Sequence, residues 1–240
     1  MSQTPQSTKQ APLISCIIAL YNGEAFIREA IDSIIAQSYP NIEILVINDG
    51  STDSGPDIAK TYSEVRIINQ ENQGEAAARN RGIAEARGDM IAFLDHDDYW
   101  HKDKLQTQVD ALLADSSLGY VLCRVNLIHE AGAEDLQWAT EKEKTEKHGA
   151  FYPSAILGNK STFDTIGPFN EKAKVFTDVD WFARANDLGI KNQICPERLL
   201  YRRFHSDNLT RHAQSFKENI FGALFESVKR KKEQAKASQL

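Results

Sequence analysis

Short apolar runs alternate with helical patterns along the first 130 residues. The runs are rich in isoleucine and bounded by polar turns, as expected of strands buried on both faces of a sheet. They span residues 13–20, 42–48, 65–69, 90–94 and 120–129. Apolar residues recur at helical spacing, or helix-forming residues dominate, at 26–35, around 58–59, at 74–87 and at 103–114. This alternation predicts a parallel sheet with helices on both faces.

The pattern is less regular beyond residue 130. Residues 131–149 are highly charged and lack a strand pattern, so we expect a solvated helix or a mobile loop near the site. Residues 150–205 contain short apolar pieces. Residues 213–228 are predicted to form an amphipathic helix that continues into the basic residues 229–232.

The composition is that of an ordinary globular chain. Of 240 residues, 41% are hydrophobic and 26% charged, which excludes the disordered and low-complexity classes. The formal charge of −6 argues against a dedicated nucleic-acid binder. The cysteines Cys16, Cys123 and Cys195 show no metal-ligand spacing and are predicted to be buried, reduced thiols of a cytosolic protein.

These patterns predict one large domain with two short flanking segments. The start of the chain is polar and lacks the apolar core of a secretory signal, so we expect it to be disordered. No run of about 18 apolar residues predicts a membrane span. The predicted units are a leader at 1–12, a domain at 13–212, and a C-terminal helix with a basic tail at 213–240.

Polar residues follow three of the predicted strands at the points where the strands end, at 21–22, 49–51 and 95–98. In open α/β sheets, ligands bind beyond the carboxyl ends of the strands. We therefore expect a ligand site at this edge of the sheet.

The strongest chemical signal is an acidic turn after the fourth strand. Asp95, Asp97 and Asp98 place three carboxylates within four positions, where they would repel one another unless compensated. Mg²⁺, Mn²⁺ or Ca²⁺ would supply that compensation through hard oxygen ligands. The structural alternative is a helix-capping turn before Trp100.

Two further segments have both a binding and a structural interpretation. Asp49 can accept a hydrogen bond from a ring N–H such as uracil presents, although a plain turn would also explain it. At the start of the predicted helix 74–87, small residues allow close approach of a ligand, and the helix N-terminus favours anions. Arg79 and Arg81 are candidate phosphate or base contacts, with a solvated surface position as the alternative for Arg81.

Taken in order, these segments resemble a known family. The similarity to the family 2 glycosyltransferases of the GT-A fold is carried by SCIIALYNGEAFIREAIDSIIAQSYPNIEILVINDGSTD and FLDHDDYWHKDKLQ, and it covers roughly residues 13–210. It implies an α/β GT-A fold with a mostly parallel central sheet flanked by helices and a C-terminal helical extension. It also implies inverting transfer from a nucleotide-diphosphate sugar, UDP-linked by family habit, to an acceptor hydroxyl with Mg²⁺ or Mn²⁺.

The resemblance implies roles for residues at the first two strand ends. Ala19 and Tyr21 resemble residues that line the nucleobase pocket, with Glu24 nearby. Asp49 resembles the acid that binds the base.

The resemblance extends to the third helix and the acidic turn. Arg79 resembles a nucleotide contact, Asp95 the acid near the ribose, and Asp97 the metal ligand that holds the diphosphate. His96 departs from the usual serine or alanine. We interpret it as a spectator rather than a sugar contact or a supporting group, while keeping it among the candidate substrate-binding residues.

A third element, FTDVDWFAR, resembles the family's E-D-x-D/E-L/W-x-x-R pattern. Asp178 aligns with the general base, and Thr177 replaces the usual glutamate. Asp180 and Arg184 are predicted to form an ion pair four residues apart on a helix. Trp181 is predicted to pack in the core rather than to line the acceptor site.

The last element, YRRFHSDNLT, resembles the pattern R-x-H-x-x-N-x-S/T. His205 is a candidate metal ligand or diphosphate contact, with a structural role as the alternative. Arg202 and Arg203 are candidates for neutralising the leaving diphosphate.

Other functions remain as alternatives. A nucleotidyltransferase would need a glycine- and arginine-rich loop after the first strand, which residues 21–24 do not provide. A catalytically silent nucleotide-sugar-binding protein is the second alternative. The implied acceptor is a saccharide, a lipid-linked saccharide or a protein in cell-surface polysaccharide or glycoconjugate synthesis. The basic residues 229–232 suit either anionic lipid at the inner face of the membrane or, preferably, a helix end.

Overall fold

The fold is taken from a computed structural model that describes residues 11–129, 151–172, 177–205, 227 and 229–230. In chain order its elements are β1 Ile14–Leu20, α1 Ile27–Ile35, β2 Ile42–Asp49, α2 Gly55–Ala59, β3 Val65–Gln70, α3 Glu75–Glu85, β4 Met90–Asp95, β5 Tyr99–Trp100, α4 Lys104–Ala114, β6 Leu118–His129, β7 Ile156–Asn159, α5 Lys160–Ile166, α6 Thr177–Asp187 and β8 Lys191–Phe204. The segment 131–149, nearly all of the predicted helix 213–228 and most of the predicted leader lie outside the described residues.

The first half of the fold confirms the predicted strand–helix alternation. The strands β3, β2, β1 and β4 lie side by side in that order and pair in parallel. Helix α3 packs so closely on β1 that a Cβ on Gly82 would lie 2.3 Å from Cγ2 of Ile17. Six of the seven residues of β1 are buried, because this strand lies between β2 and β4 at the centre of the parallel half.

The second half turns the sheet into a mixed one. The full strand order is β3-β2-β1-β4-β7-β6-β8-β5. β7 pairs antiparallel with both β4 and β6, while β8 runs parallel to β6 and antiparallel to β5. Four of the seven pairings in the described ranges are parallel, so the prediction of a mostly parallel sheet is confirmed.

Strand β8 carries the chain back to the ligand edge of the sheet. Its pairing with β5 stacks the rings of Tyr99 and Tyr201, whose centroids are 4.7 Å apart. This places Arg203 and His205 directly beside the acidic turn that follows β4.

Helix α6 is anchored by an aromatic core. Trp181 is fully buried and packs against Phe163 and Phe169, as predicted. The predicted pair of Asp180 and Arg184 is also present, with Nε and Oδ2 2.9 Å apart. The packing therefore fixes the orientation of the helix that begins at Thr177.

The structure also describes the cysteines and one contact of the C-terminal segment. All three cysteines are buried and none is in a disulfide, as predicted. In the C-terminal segment, Ser227 donates a hydrogen bond to Asp187 on α6. None of the helices in the described part of the chain has the length and apolar content needed to cross a bilayer.

Candidate functional site

The carboxyl ends of β1, β2 and β4 form one edge of the sheet. Ala19 of β1 pairs in register with Ile47 of β2 and with Asp95 of β4, so it lies at the centre of this edge. Tyr21 follows β1 directly and keeps 46% of its surface exposed. The edge thus carries an accessible aromatic ring and a partly buried carboxylate, two groups suited to a ligand that is both planar and polar.

The loops after β1 and β2 hold each other in place. The Asn22 side chain accepts a hydrogen bond from the Thr52 amide at 2.8 Å. Glu24 accepts one from the Ser54 amide at 3.0 Å, and the Glu24 amide donates to Asp53 at 2.7 Å. Glu24, predicted to lie near the nucleobase pocket, is therefore engaged in bracing the loop.

Asp49 connects β2 to the start of α3. Its Oδ1 accepts hydrogen bonds from the Gln70 side chain at 2.8 Å and from the Gln73 amide at 2.9 Å. Its Oδ2 accepts one from the amide of Gly74 at 2.8 Å. A carboxylate offers about four acceptor positions, and these contacts use three of them.

Arg79 links α3 to the acidic turn. It is 3% exposed, and its Nη2 lies 2.6 Å from a carboxylate oxygen of Glu75 and 2.7 Å from one of Asp95. Arg81 instead has an exposed side chain paired with Glu85, which agrees with the surface alternative. The buried guanidinium balances two carboxylates that would otherwise repel each other.

Asp97 and His205 converge across the acidic turn. Nε2 of His205 lies 3.0 Å from Oδ2 of Asp97, and the histidine ring packs on Phe26. Burial opposes ionisation of Asp97, but the hydrogen bond with His205 and the charges of His96 and Arg202 outweigh it and lower its pKa. Asp97 is thus held as a carboxylate.

These two donor atoms fit a divalent cation. An imidazole nitrogen and a carboxylate oxygen are both donors that a cation such as Mn²⁺ would accept, and Nε2 and Oδ2 lie 3.0 Å apart. Within the described ranges, no cluster of three His, Cys, Asp or Glu side chains is placed to hold a metal. A cation here would take its remaining ligands from phosphate oxygens and water, as Mg²⁺ commonly does.

His96 contacts the main chain. Its Nδ1 lies 3.2 Å from the carbonyl oxygen of Ala19. The ring also fills the space over Gly23, where a Cβ would lie 2.3 Å from Cδ2 of His96. These contacts support the interpretation of His96 as a packing residue.

Arg203 holds the acidic turn from the β8 side. Its amide donates to Oδ1 of Asp98 at 3.0 Å, and its Nε donates to the carbonyl oxygen of Asp97 at 3.1 Å. Its guanidinium also pairs with Glu29 and lies over the ring of Phe26. The sequence suggested a role in neutralising diphosphate, whereas the structure gives Arg203 several protein contacts that position the turn.

Asp98 and Arg202 complete the surroundings of the turn. Asp98 is 3% exposed, and burial followed by repulsion from Asp97 and Asp95 raises its pKa well above the ordinary value. Arg202 lies over the ring of Tyr152, with its guanidinium carbon 4.2 Å from the ring centroid. The carboxyl of Asp98 is therefore a structural group within the turn.

Ser154 supports both ends of the same turn from β7's side. Its hydroxyl accepts a hydrogen bond from the Asp95 amide at 3.0 Å, and its carbonyl accepts one from the Trp100 indole at 3.0 Å. Sequence analysis missed Ser154 and Glu75. The i, i+4 spacing of Glu75 and Arg79 was a readable signal for Glu75, whereas no local pattern marks Ser154.

Asp178 lies in the first turn of α6, opposite the Arg79–Asp95 pair. Burial raises its pKa most strongly, Arg79 opposes this effect, and Asp95 adds to it. The electrostatic influence of Arg79 and Asp95 shows that the packing brings α6 to the acidic edge. Asp178 therefore lies within electrostatic reach of Arg79 and Asp95, two of the predicted nucleotide-binding residues.

Comparison with known proteins identifies the family. The sequence profile of the family described as Glycosyl transferase family 2 matches residues 15–169. This chain belongs to that family. It is 35% identical over 185 residues to an uncharacterized glycosyltransferase of Rickettsia typhi, with 72% of this chain covered. The chain spans 58% of the length of that relative.

Solved structures confirm the GT-A fold. Residues 1–349 of S. aureus TarS in complex with UDP-GlcNAc superpose with a TM-score of 0.73 at 20% identity, covering 90% of this chain and 66% of that one. The mannosyltransferase PcManGT from Pyrobaculum calidifontis, in complex with GDP-Man and Mn²⁺, gives 0.65 at 21% identity, with 86% and 60% covered.

Proposed function

We propose that this chain is an inverting glycosyltransferase that moves a sugar from a nucleoside-diphosphate sugar to an acceptor hydroxyl. The observation that supports it is the meeting of Asp97 and His205 with Asp178 around the Arg79–Asp95 pair. Family membership and the UDP-GlcNAc and GDP-Man complexes of its structural neighbours support the same reaction class. UDP is the proposed nucleotide.

The donor is proposed to lie along the edge formed by β1, β2 and β4. Tyr21 and Ala19 contact the base, and the remaining acceptor position of Asp49 is directed to a ring N–H. Asp95 receives the ribose. Arg79, Glu24 and His96 act by holding these groups in place, because their side chains contact other groups of the protein.

Asp97 and His205 are the proposed ligands of Mg²⁺ or Mn²⁺. When bound, the ion offsets the charge that develops on the departing nucleoside diphosphate. Asp97 suits this role because its lowered pKa keeps it ionised, and β8 fixes His205 beside it. Arg203 keeps the turn that presents Asp97 in one conformation.

Asp178 is the proposed general base. Its raised pKa favours proton uptake, which suits a carboxylate that must remove a proton from an attacking hydroxyl. The acceptor oxygen forms a bond to the anomeric carbon as the bond to the diphosphate breaks, and the configuration inverts. The acceptor is proposed to be a saccharide, a lipid-linked saccharide or a protein in cell-surface glycoconjugate synthesis.

The proposal is tested by separating donor binding from turnover. Nucleotide sugars, including UDP-GlcNAc and GDP-Man, are added with Mn²⁺, and both the binding constant and the release of nucleoside diphosphate are measured. Asp97→Asn should weaken metal-dependent binding. Asp178→Asn should keep binding and lose about 10²–10⁴-fold in turnover.

Asp110→Asn, on the exposed face of α4, is the matched control and should behave as the unmodified protein. Unchanged turnover in both site variants would overturn the proposed mechanism. Donor binding without turnover in the unmodified protein, across a panel of acceptors, would favour a nucleotide-sugar-binding protein instead.

A further inference from the structure

A cavity of about 350 Å³ opens between the first turns of α3 and α6, where it reaches Thr177, the residue before the proposed base. Its lining residues are Asn72, Gln73, Gly74, Glu75, Ala76, Glu171 and Thr177. Small-molecule pockets commonly measure about 300–1,000 Å³, so this one is near the lower limit. Its size suits one sugar ring better than an oligosaccharide.

Glu75 connects this cavity to the reacting groups. Its side chain keeps 38% of its surface exposed, and the carboxyl accepts a hydrogen bond from Arg79 at 2.6 Å. Desolvation raises its pKa to about 7, Arg79 opposes this, and the carboxylates of Asp95, Asp178 and Asp97 add to the rise. Glu75 therefore lies within electrostatic reach of the proposed ribose, base and metal residues together.

Thr177 provides an independent indication of a ligand. It is 3% exposed, and its hydroxyl oxygen has no hydrogen-bond partner among the described residues. Leaving a buried hydroxyl unpaired costs about 1–3 kcal/mol, so such groups are usually satisfied by water or ligand. Thr177 lines the cavity, which places this unpaired group where a ligand hydroxyl would meet it.

We propose that Glu75 and Thr177 bind hydroxyl groups of the donated sugar, and that Glu75 helps determine which sugar is accepted. This inference rests on the proposed function. In an in-line displacement, the sugar lies between the diphosphate held at Asp97 and the base Asp178. Glu75 is close to both and faces a cavity large enough for the ring.

The chemistry of the lining favours a neutral sugar. Glu75 and Glu171 both carry carboxyl groups, while the nearby cation Arg79 is paired with Glu75 and Asp95. An anionic sugar would add a charge to this acidic surface. The carboxyl oxygens of Glu75 can accept hydrogen bonds, which matches the O–H donors of a sugar ring.

Glu75 and Thr177 line the cavity from the first turns of α3 and α6. Glu75 is thus assigned a contact with the sugar alone, separate from the nucleotide-binding edge at Asp49 and Tyr21.

The test compares nucleotides with and without the sugar. Calorimetry with Mn²⁺ measures the Kd values of UDP, UDP-GlcNAc, UDP-glucose, GDP and GDP-Man. The ratio of diphosphate to nucleotide-sugar Kd gives the contribution of the sugar ring. For the nucleotide sugar with the largest ratio, Glu75→Leu should reduce that ratio by about tenfold or more, the equivalent of one strong hydrogen bond. The same variant should change the Kd of the nucleoside diphosphate by less than about twofold.

Two further variants and a control sharpen the result. Glu75→Gln keeps two polar atoms and should reduce the ratio by about threefold or less, whereas Thr177→Val should reduce it by about three- to tenfold. Glu85→Gln lies on the same helix, in a pair with Arg66 and Arg81, and should leave every Kd unchanged. Thermal unfolding of each variant checks that it is folded.

The outcomes separate this inference from the proposed function. If none of the nucleotides binds the unmodified protein, both are overturned. If nucleotides bind but the sugar ratio is close to one, or is the same in Glu75→Leu, the sugar-binding inference alone is wrong. If the Kd of the diphosphate rises in parallel with that of the nucleotide sugar, Glu75 acts on the nucleotide and the inference is also wrong.

Discussion

Nε2 of His205 lies 3.0 Å from Oδ2 of Asp97, although the two residues are 108 positions apart in the chain. Strand β8 creates this contact by pairing with β5, which follows the acidic turn directly. The stacked rings of Tyr99 and Tyr201 hold the strands in register. The proposed metal site is therefore completed by tertiary structure rather than by one local motif.

His205→Ala should weaken Mn²⁺ binding about 10–100-fold in the presence of UDP, because one of two protein ligands is lost. Titration followed by electron paramagnetic resonance measures the free ion. His101→Ala, which removes a partly exposed imidazole outside the site, is the control. Equal Mn²⁺ affinity in the His205 variant and the unmodified protein would remove this residue from the metal site.

Because of Lys104, the free energy of unfolding should gain a contribution that rises with pH in the alkaline range. The amine is buried, donates to Gln108 at 2.7 Å and lies 4.2 Å from the centroid of the Trp100 ring. Burial lowers its pKa to about 8, against about 10.4 in an unfolded chain. Between these values the unfolded chain binds more protons, so raising the pH favours the folded state.

From pH 7.5 to 9.5, the free energy of unfolding should therefore rise by about 2 kcal/mol in the unmodified protein relative to Lys104→Met. Urea unfolding at the two pH values, with reductant present, measures the difference. Lys60→Met, at an exposed pair with Asp57, should follow the unmodified protein. If the free energy of unfolding changes with pH in the same way in the unmodified protein and in Lys104→Met, the lowered pKa of Lys104 is contradicted.

The Asn80 side chain should stabilise the segment from Phe169 to Glu171. Its side chain donates to the Phe169 carbonyl at 2.9 Å and to Glu171 at 2.7 Å, and it accepts from the Phe169 amide at 2.8 Å. Asn80→Ala should cost about 2–3 kcal/mol, since buried main-chain groups of Phe169 lose their partner. Denaturant unfolding checks this value.

Asn41→Ala, which removes one exposed hydrogen bond to the Ala11 carbonyl, should cost less than about 1 kcal/mol and serves as the comparison. Similar losses in the two variants would show that Asn80 does not hold the Phe169 segment in the way the hydrogen bonds indicate.

Gly82→Ala should destabilise the fold, although the same change at an exposed helical position stabilises by about 1 kcal/mol. The added Cβ would lie 2.3 Å from Cγ2 of Ile17, so helix and strand must separate, at about 1–3 kcal/mol. Adding Ile17→Ala should recover part of this loss in a double-mutant cycle. A stabilised single variant would show that the α3–β1 contact is looser than the packing indicates.

The first half of the fold could be predicted because its signals are local. Each strand there is a buried apolar run bounded by turn residues, and the predicted strand ends lie within two residues of those observed. The acidic turn and Asp49 also follow strands directly, so their place at one edge of the sheet follows from the topology.

The second half depends on contacts between distant residues. The two-residue strand β5 and the four-residue strand β7 are too short to show a period. β8 has exposed residues along most of its first half and pairs with β6 through register shifts, so it lacks a regular alternation. The roles of Arg203 and Ser154 are set by partners 54 to 174 positions away, which no sequence window contains.

The antiparallel pairing of β7 with β4 has a consequence for synthesis of the chain. β4 is complete at Asp95, but the strand that pairs with its outer edge ends at Asn159. At about 5–20 residues per second, a ribosome needs roughly 3–13 s to supply the intervening residues. During that interval Met90, Ile91 and Ala92 form an apolar strand with an open edge, the feature through which strands join between molecules. Slow translation of this interval is expected to increase aggregation of the nascent chain.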